Sequence, residues 1–451
     1  MPLTGTSIVV VGAGLAGLTA ASQLCHQGAQ VKIIEARSRV GGRVFTLRDS
    51  FAAEQHAEAG GDFIDEGHEE IIRLVSQHGL KLRQVLKGGF AFIRDHRVAG
   101  LRSRTLSAST AWNRLTRLAG PLVRAYRLQQ QGWDSPFARK LAGQSVAQWL
   151  DRIHAGDDVR AFVRGLRGFF LADPEDLSLL VLIDQLASDA PGQQAMYRIE
   201  GGNDRLPFAM AEKLRDVIHL DTAAVAVRHD RDSVRLTVCR PNGDESVMKA
   251  HAVVFAIPAS TLRSIRIRPS LPDEQAAAVA CLKYGRVTKS LLQFNRRFWK
   301  GAGRASAYGT DAPTGALWDA NEEQGRRPGI LTLMAGGQAS EDSRKLVAQE
   351  GVEGLVRRLE WLGSASALLL HSRLVTWEDD AWALGGYAYF DPAFDPAWRQ
   401  WLARPHGRLF FCGEHTSVTW QGYMNGAVES GLLAAKEVAS FFGERRAAGQ
   451  A

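Results

Sequence analysis

Three glycines near the amino terminus have the spacing that a nucleotide phosphate requires. Gly12, Gly14 and Gly17 directly follow the apolar run Ile8 to Val11, in the pattern GxGxxG. The first glycine permits a tight turn, the second lets the backbone approach a pyrophosphate, and the third lets the next helix pack closely on the strand. The amino terminus of that helix would then face the phosphates. The pattern predicts a dinucleotide site.

An acidic residue follows at the distance expected of a ribose ligand. Glu35 stands 18 residues after Gly17, close to the roughly 20 residues typical of the carboxylate that accepts the adenosine ribose hydroxyls. A 2′-phosphate would be repelled there, so NADP is disfavoured. Arg37 and the segment Gly41 to Arg43 add two guanidinium groups and a flexible backbone beside the predicted pyrophosphate.

The elements that must position these residues are a strand, a helix and a second strand. Ile8 to Val11 is a continuous apolar run, which is typical of the middle of a parallel sheet. Helical spacing follows as far as Gly28, and Val31 to Glu35 then forms the second strand. Because this unit supplies too few strands for a doubly wound sheet, strand-rich segments at Ile218 to Pro258 and Arg408 to Cys412 must complete it.

Together these segments resemble the flavin-containing amine oxidase family. The first reads GxGxxGLxAA and is followed by Glu35, by the GGR run at Gly41 and by the pair Gly60 and Gly61. A second segment has the family's GGxxxL pattern from Gly201, and a third reads GEHTSVTWQGYMNGAVESG. The resemblance covers nearly the whole chain. It implies an α/β fold, with a Rossmann-type FAD-binding domain and an inserted mixed α+β substrate domain.

The resemblance also implies domain boundaries and cofactor contacts. The FAD-binding domain would comprise residues 1–76, 196–276 and 405–445, and the substrate domain residues 77–195 and 277–404, with a chiefly helical stretch at 102–194. Non-covalent FAD is expected, because Gly386 stands where some family members carry the cysteine that binds the flavin. The implied cofactor contacts are Gly12, Gly14, Ala16, Gly17, Glu35, Ala36, Arg37, Gly42, Arg43, Gly60, Gly61, Val225, Gly413, Glu414, Gly422, Tyr423 and Met424.

Three side chains are implied to take part in the reaction. Lys289 occupies the family's GxxxK pattern, in which the lysine reaches flavin N5 through a water and assists the reaction with oxygen. A fixed cation suits that role because it stabilises the negative charge that develops on oxygen. Tyr423 and Tyr387 resemble the two rings of the family's aromatic cage, which confine a small amine. The family's reaction passes the amine α-hydrogen to N5 as a hydride, yields an imine and reduces oxygen to hydrogen peroxide.

Other functions of the same fold stay open at this point. L-amino-acid oxidases, carotene desaturases and protoporphyrinogen oxidase share the amino-terminal segment, although Lys289 and the GYM segment favour amine oxidation. An amino-acid substrate would need a guanidinium for its carboxylate, and Arg198 or one of the early arginines would supply it. Polyamines are less favoured because the chain is basic. A non-catalytic binding protein of this fold would not need the pyrophosphate glycines or Lys289.

Composition favours a globular enzyme that holds no metal. The four cysteines, Cys25, Cys239, Cys281 and Cys412, lack CxxC spacing, which argues against zinc and disulfides and for a reducing compartment. No apolar run approaches the 18 residues of a membrane span, and no nucleic-acid motif accompanies the net charge of +7. We expect a cytoplasmic protein that acts on a small amine and O2, and we leave a homodimer open.

The substrate pocket is harder to predict than the cofactor site. The helical stretch and residues 288–377 should line it. The aromatic candidates are Trp112, Trp133, Phe170 and Trp318, and periodicity does not decide which of these rings face inward.

Overall fold

The amino-terminal strand lies at the centre of a parallel sheet. The computed structural model describes residues 3–94, 104–129, 132–188, 195–301, 303–325, 327–364 and 367–447. Three separate parts of the chain contribute to this sheet, as the sequence predicted. Its five parallel strands are, in spatial order, Ile218–His219, Gln30–Ile34, Ser7–Val11, Ala252–Phe255 and Leu409–Phe411.

Both faces of this sheet are covered, which explains why its strands are apolar without interruption. Ile8 and Val10 share a core with the helices Leu15–His26 and Met424–Ala447. Val9 and Val11 belong to a separate core, because successive side chains of a strand point to opposite faces. A second sheet covers that side, with the strand order Glu245–Ala250, Val234–Cys239, Ala223–His229 and Arg266–Arg268.

A seven-stranded mixed sheet forms the other large layer. Its strands are, in spatial order, Leu369–Thr376, Val287–Phe294, Gly329–Gly336, Ala316–Asp319, Ala307–Thr310, Phe90–Arg94 and Arg104–Ser107. Every residue of Val287–Phe294 is buried, because this strand pairs on both edges and its side chains pack into separate cores on the two faces. Lys289 therefore enters the interior of the protein instead of solvent.

Helices pack beside the seven-stranded sheet and confirm the helical prediction in the described part of that stretch. They are Ala108–Leu128, Pro136–Ala142, Val146–Arg152, Asp157–Gly165, Arg167–Phe170 and Leu179–Ser188. Leu115, Trp149 and Leu180 belong to their common core. Residues 102, 103, 130, 131 and 189–194 of the predicted stretch lie outside the described residues. The domain boundaries stay a prediction.

Short elements connect these layers. Small sheets pair Thr46–Leu47 with Ala57–Glu58, Lys283–Tyr284 with Ala388–Tyr389, and Ile64–Asp65 and Leu82–Val85 with Met196–Ile199. The other α-helices of the described chain are Glu69–Gln77, Arg205–Glu212, Ala259–Leu262, Asp273–Cys281, Gln338–Glu350 and Val352–Arg357. The 3-10 helices are Ala52–Glu54, Arg215–Val217, Glu322–Gln324, Glu360–Leu362, Pro396–Trp401 and Glu414–Thr416.

Candidate active site

A cavity of about 550 Å³ is lined by residues of both large sheets. Val11, Ile34 and Ala256 bring the carboxyl ends of three parallel strands to it, which is where open α/β sheets bind their ligands. Lys289 and Met334 line it from the seven-stranded sheet. The cavity therefore joins the predicted nucleotide site to the predicted reaction site.

The three amino-terminal glycines have different surroundings. Gly12 has a φ of +103°, and a Cβ there would lie 2.7 Å from the carbonyl oxygen of Ala256. A Cβ on Gly17 would lie 1.9 Å from the carbonyl oxygen of Gly12, so this glycine allows the helix to pack and does not line the cavity. A Cβ on Gly14 would meet nothing within 4 Å. Gly14 therefore presents bare backbone to the cavity, as a pyrophosphate requires.

The acidic residue at the end of the second strand is held by backbone donors. Glu35 accepts hydrogen bonds from the backbone N–H of Ala13 at 2.8 Å and of Arg37 at 2.9 Å. The Arg37 guanidinium is in turn paired with Asp380 at 2.6 Å. Ala36 lines the cavity between the two. These contacts fix the Glu35 carboxylate on the cavity wall.

An ion pair joins the GGR run to the carboxy-terminal motif. The Arg43 guanidinium donates to Glu414 at 2.9 Å and to the carbonyl oxygen of Gly386 at 2.6 Å. The other oxygen of Glu414 accepts from the backbone N–H of Gly422 at 2.9 Å. Glu414 thus holds together the two segments that carry the predicted cage tyrosines.

Both predicted cage tyrosines line the cavity and are fixed by neighbours. The hydroxyl of Tyr387 donates to the carbonyl oxygen of Phe169, and burial raises the pKa of this phenol. The ring of Tyr423 stands edge-on to the rings of His68 and Trp420, with centroid distances of 5.0 and 6.0 Å. The two phenols are close enough for the charge of one to affect the pKa of the other.

The ammonium of Lys289 is buried and fully bonded. Its side chain is 3% exposed. Nζ donates to the carbonyl oxygens of Glu58 at 3.0 Å and Gly60 at 2.9 Å and to the carboxylate of Asp62 at 2.8 Å. An ammonium has three N–H donors, so each of them has an acceptor within the protein.

Asp62 is the centre of a buried charge network. Its carboxylate also accepts from Nε of Arg198 at 2.7 Å and from the indole N–H of Trp318 at 3.1 Å. Burial alone would raise the pKa of Asp62, but the charges of Arg198 and Lys289 outweigh it and lower this pKa. Sequence reasoning missed Asp62, although an acid directly after the glycine pair of an apolar segment was a usable signal.

The structure contradicts the suggestion that Arg198 binds a substrate carboxylate. Its side chain is 2% exposed and is paired with Asp62 and with Glu323, the latter at 3.3 Å. It also donates to the carbonyl oxygen of Asp319 at 3.2 Å. Arg198 does not line the cavity, because these acceptors hold it on the far side of Asp62.

The carboxy-terminal motif ends in the predicted helix. The helix Met424–Ala447 begins at the cavity, which Met424 and Ala427 line. Met424 packs over the glycine pair, since a Cβ on Gly61 would lie 3.0 Å from its sulfur. The unpaired backbone N–H groups and the positive end of the helix dipole therefore face the cavity.

Of the predicted cofactor contacts, the structure brings all but two to the cavity wall. Gly17 packs behind it, and Val225 lies in a β-bulge, where the pairing register shifts between Ala224 and Ala226. Ala223 and Ala224 line the wall in place of Val225. The predicted contacts that do line it are Gly12, Gly14, Ala16, Glu35, Ala36, Arg37, Gly42, Arg43, Gly60, Gly61, Gly413, Glu414, Gly422, Tyr423 and Met424.

The side of the cavity that is predicted to hold the substrate is aromatic, and it includes an acid whose pKa is raised. Trp133, Phe170 and Trp318 line it, whereas Trp112 packs against the core of the helical layer. Burial raises the pKa of Asp65 to about 6, and this carboxylate also lines the cavity.

The described part of the chain gives no support for a membrane span, a metal site or a reactive Cys412 thiol. None of its helices combines the length and apolar character that crossing a membrane requires. Among the same residues, no group of three or more His, Cys, Asp or Glu side chains is placed to hold a metal ion. Cys412 is a buried core residue, and burial raises the pKa of its thiol.

Comparison with known proteins agrees with this arrangement. Residues 15–439 match the family model of flavin-containing amine oxidoreductases. The chain is 26% identical to a flavin-containing amine oxidase of Danio rerio over 476 aligned residues, which cover 99% of this chain and 88% of that protein. It is also 26% identical to an L-amino-acid oxidase of Notechis scutatus scutatus, with 96% of this chain and 86% of that protein covered.

The fold is shared with a solved amine oxidase. Cyclohexylamine oxidase from Brevibacterium oxydans IH-35A superposes with a TM-score of 0.84 at 26% identity, and the match covers 97% of this chain and 99% of that one. This likeness confirms the predicted α/β fold. Because the family model also matches almost the whole chain, the chain belongs to the family of flavin-containing amine oxidoreductases.

Proposed function

We propose that this chain is an FAD-dependent oxidase of small amines. The observation that carries the proposal is that Lys289, Tyr387 and Tyr423 line the same cavity as the phosphate-site backbone of Gly14. A nucleotide bound along the glycines would thus extend toward the lysine and the two rings. The apolar and aromatic substrate side suits an uncharged amine.

FAD is proposed because the residues present fit its pyrophosphate and its adenosine ribose. Gly14 leaves space for a pyrophosphate, and the Glu35 carboxylate is suited to ribose hydroxyls. We propose non-covalent binding because none of the cavity-lining residues in the described chain is a cysteine or a histidine. Gly386 stands directly before Tyr387, where a covalent attachment would need a nucleophile.

The proposed roles of the side chains follow from their contacts. Bound flavin supplies a hydride acceptor for the amine α-carbon and passes the electrons to oxygen, which forms hydrogen peroxide. Tyr387 and Tyr423 confine the amine and orient its nitrogen. Lys289 supplies a fixed positive charge near the reacting atoms. Since its three donors already have protein acceptors, a water bridge from Lys289 would require one of these bonds to break.

Oxidation of L-amino acids is a second candidate. The identity to the L-amino-acid oxidase of Notechis scutatus scutatus is as high as that to the Danio rerio enzyme. The choice between these substrates depends on a carboxylate-binding group, since Arg198 is already paired. Cytoplasmic localisation and a homodimer stay predictions.

The test combines cofactor release with a substrate panel. Denaturation of the purified protein should release a yellow compound that co-elutes with FAD, and monoamines, cyclic amines, polyamines and L-amino acids are then screened for peroxide. We expect Lys289→Met to slow flavin reoxidation by oxygen, whereas the control Lys283→Met, at a half-exposed lysine of the neighbouring short strand, should not. Colourless protein, or no peroxide from any amine, would refute the proposal.

A further inference from the structure

Four basic residues stand directly opposite one another across the four-stranded sheet. Arg228 is paired with Arg268 on one neighbouring strand and with Arg235 on the other, and Arg235 is paired with Lys249. Directly opposite residues of paired strands carry their side chains on the same face. We call Arg268, Arg228, Arg235 and Lys249 the cation row. Because neighbouring strands lie about 4.8 Å apart, the cation row is roughly 14 Å long.

The cation row points into solvent. The strand residues next to it include Val227, Val234 and Ala250, which are buried in the core on the inner face of this sheet. Successive side chains of a strand point to opposite faces, and all four members of the cation row are exposed. None of these four residues lines the cavity, so the cation row lies outside the proposed active site.

The cation row has no ion-pair partner in the described part of the chain. Other exposed arginines there are paired, as Arg73 is with Glu70 at 2.6 Å. The four strands contain a single acid, Glu245, at the far end of its strand. Asp230, in the adjoining turn, makes hydrogen bonds within that turn and no ion pair with the cation row. Like charges directly opposite one another destabilise a sheet, so a bound anion would offset a cost that the folded chain carries.

The face around the cation row carries no aromatic side chain. The adjacent row of the same face consists of Arg266, Ala226, Thr237 and Val247, and Val247 is 58% exposed. None of the four strands contains Phe, Tyr or Trp. Protein–protein interfaces have a core enriched in aromatic residues and depleted of charge, and single-stranded nucleic acids are bound by stacking on aromatic rings. The face lacks the anchors that either of these partners uses.

The width of the sheet and the sign of its charge decide between the remaining partners. The major groove of B-DNA is about 12 Å wide and admits a helix or a two-stranded ribbon, so a four-stranded sheet does not enter it. A second copy of this chain would oppose the cation row with the same positive charge. An anionic lipid surface is wide and flat, and each Lys or Arg close to it strengthens binding. We propose that this face of the sheet binds peripherally to an anionic lipid surface through the cation row.

Cosedimentation with vesicles tests the inference. The flavin-loaded protein would be mixed with vesicles of equimolar phosphatidylserine and phosphatidylcholine, and separately with vesicles of phosphatidylcholine alone. We expect binding to the first kind only, and weaker binding as the salt concentration rises. Arg228→Gln combined with Arg235→Gln should weaken binding roughly twentyfold, because each basic residue at such a surface contributes about fivefold. The control, Arg152→Gln combined with Arg358→Gln, removes the same charge from exposed positions outside this sheet and should leave binding nearly unchanged.

A second pair of substitutions separates binding from folding. Lys249→Gln combined with Arg268→Gln, at the two ends of the cation row, should weaken vesicle binding to a similar extent. Neither row variant should unfold at a lower urea concentration than the parent, because each removes opposed like charges. The inference is overturned if the parent does not bind the phosphatidylserine vesicles or binds duplex DNA more tightly than it binds them. It is also overturned if both row variants bind like the parent, or if the control loses as much binding as they do. Peroxide formation without vesicles should be unchanged in every variant, so this outcome is independent of the proposed function.

Discussion

Asp62→Asn tests whether the buried network around Lys289 depends on a single negative charge. Asparagine has nearly the same size and keeps one acceptor oxygen, so the substitution removes the charge with little change in packing. The parent carboxylate bonds Arg198 at 2.7 Å, Lys289 at 2.8 Å and Trp318 at 3.1 Å. After the change, two buried cations face an uncharged amide.

The expected cost follows from the burial of the charged groups. The side chains of Asp62, Arg198 and Lys289 are 7%, 2% and 3% exposed, so water cannot replace the lost charge. Removal of one member of a buried ion pair typically costs about 3–5 kcal/mol. We expect Asp62→Asn to lower the free energy of unfolding by about that amount. Lys289→Met in the same chain should recover part of it, because Lys289, whose ion pair is with Asp62, is then absent, whereas Arg198 keeps its ion pair with Glu323.

The assay is urea unfolding of the flavin-free protein at pH 7, followed by circular dichroism. Glu70→Gln is the matched control, because it breaks the exposed ion pair with Arg73, in which the side chains are 37% and 45% exposed, and should cost less than about 1 kcal/mol. Two results would contradict this expectation: a loss of unfolding free energy in Asp62→Asn no larger than that in Glu70→Gln, or a Lys289→Met loss that adds in full to that of Asp62→Asn.

Three further predictions use contacts at the same site. Gly14→Val should leave the unfolding free energy of the flavin-free protein unchanged but weaken FAD binding at least about tenfold. Gly17→Ala should destabilise the flavin-free protein, because the new Cβ would meet the carbonyl oxygen of Gly12. Equal unfolding midpoints for the two variants would contradict this. Tyr387→Phe, which loses the bond to a backbone carbonyl, should raise the KM for amines about fivefold with FAD affinity unchanged. Burial and the charge of Asp62 raise the pKa of Glu58 to about 8, so protonation of Glu58 stabilises the folded state fully below about pH 4.5, and this stabilisation is lost as the pH rises toward 8. Glu58→Gln should therefore reduce the decline of unfolding free energy with pH over that range by up to about 1.4 kcal/mol per pH unit. Parallel curves of unfolding free energy against pH for the parent and the variant would contradict this prediction.

The glycine-lined part of the cavity could be predicted from the sequence because it is local. Gly12, Gly14 and Gly17 lie within six residues, and their roles depend on one strand, one turn and one helix. The structure distinguishes the three glycines, because a Cβ would meet backbone atoms at Gly12 and Gly17 but would have open space at Gly14. The burial of the strand Ser7–Val11 likewise follows from its uninterrupted apolar run.

The ion-pair partners of the buried charged residues could not be predicted from the sequence in the same way. The sequence made Arg198 a candidate ligand for a substrate carboxylate, but in the structure Arg198 is paired with Asp62, which is 136 residues away in the chain. Nothing local to Arg198 indicates that pairing, because it depends on how the strand Met196–Ile199 packs beside the glycine pair. The motif predicted a role for Lys289, but the sequence could not show that its three N–H donors are all bonded, because two of the acceptors are backbone carbonyl oxygens brought near by the fold.

One further outcome depended on irregular structure. The β-bulge at Val225 moves the cavity contact to Ala223 and Ala224, and a one-residue bulge leaves little trace in a period-two pattern.

The most direct test of amine oxidation at this site is the visible absorbance of the bound flavin when an amine is added without oxygen. We predict that an amine from the panel bleaches the flavin, that replacement of the amine's α-hydrogens by deuterium slows the bleaching, and that admission of air restores the colour with formation of peroxide. A bound flavin that stays oxidised with every amine, carboxylated amines included, would contradict this prediction.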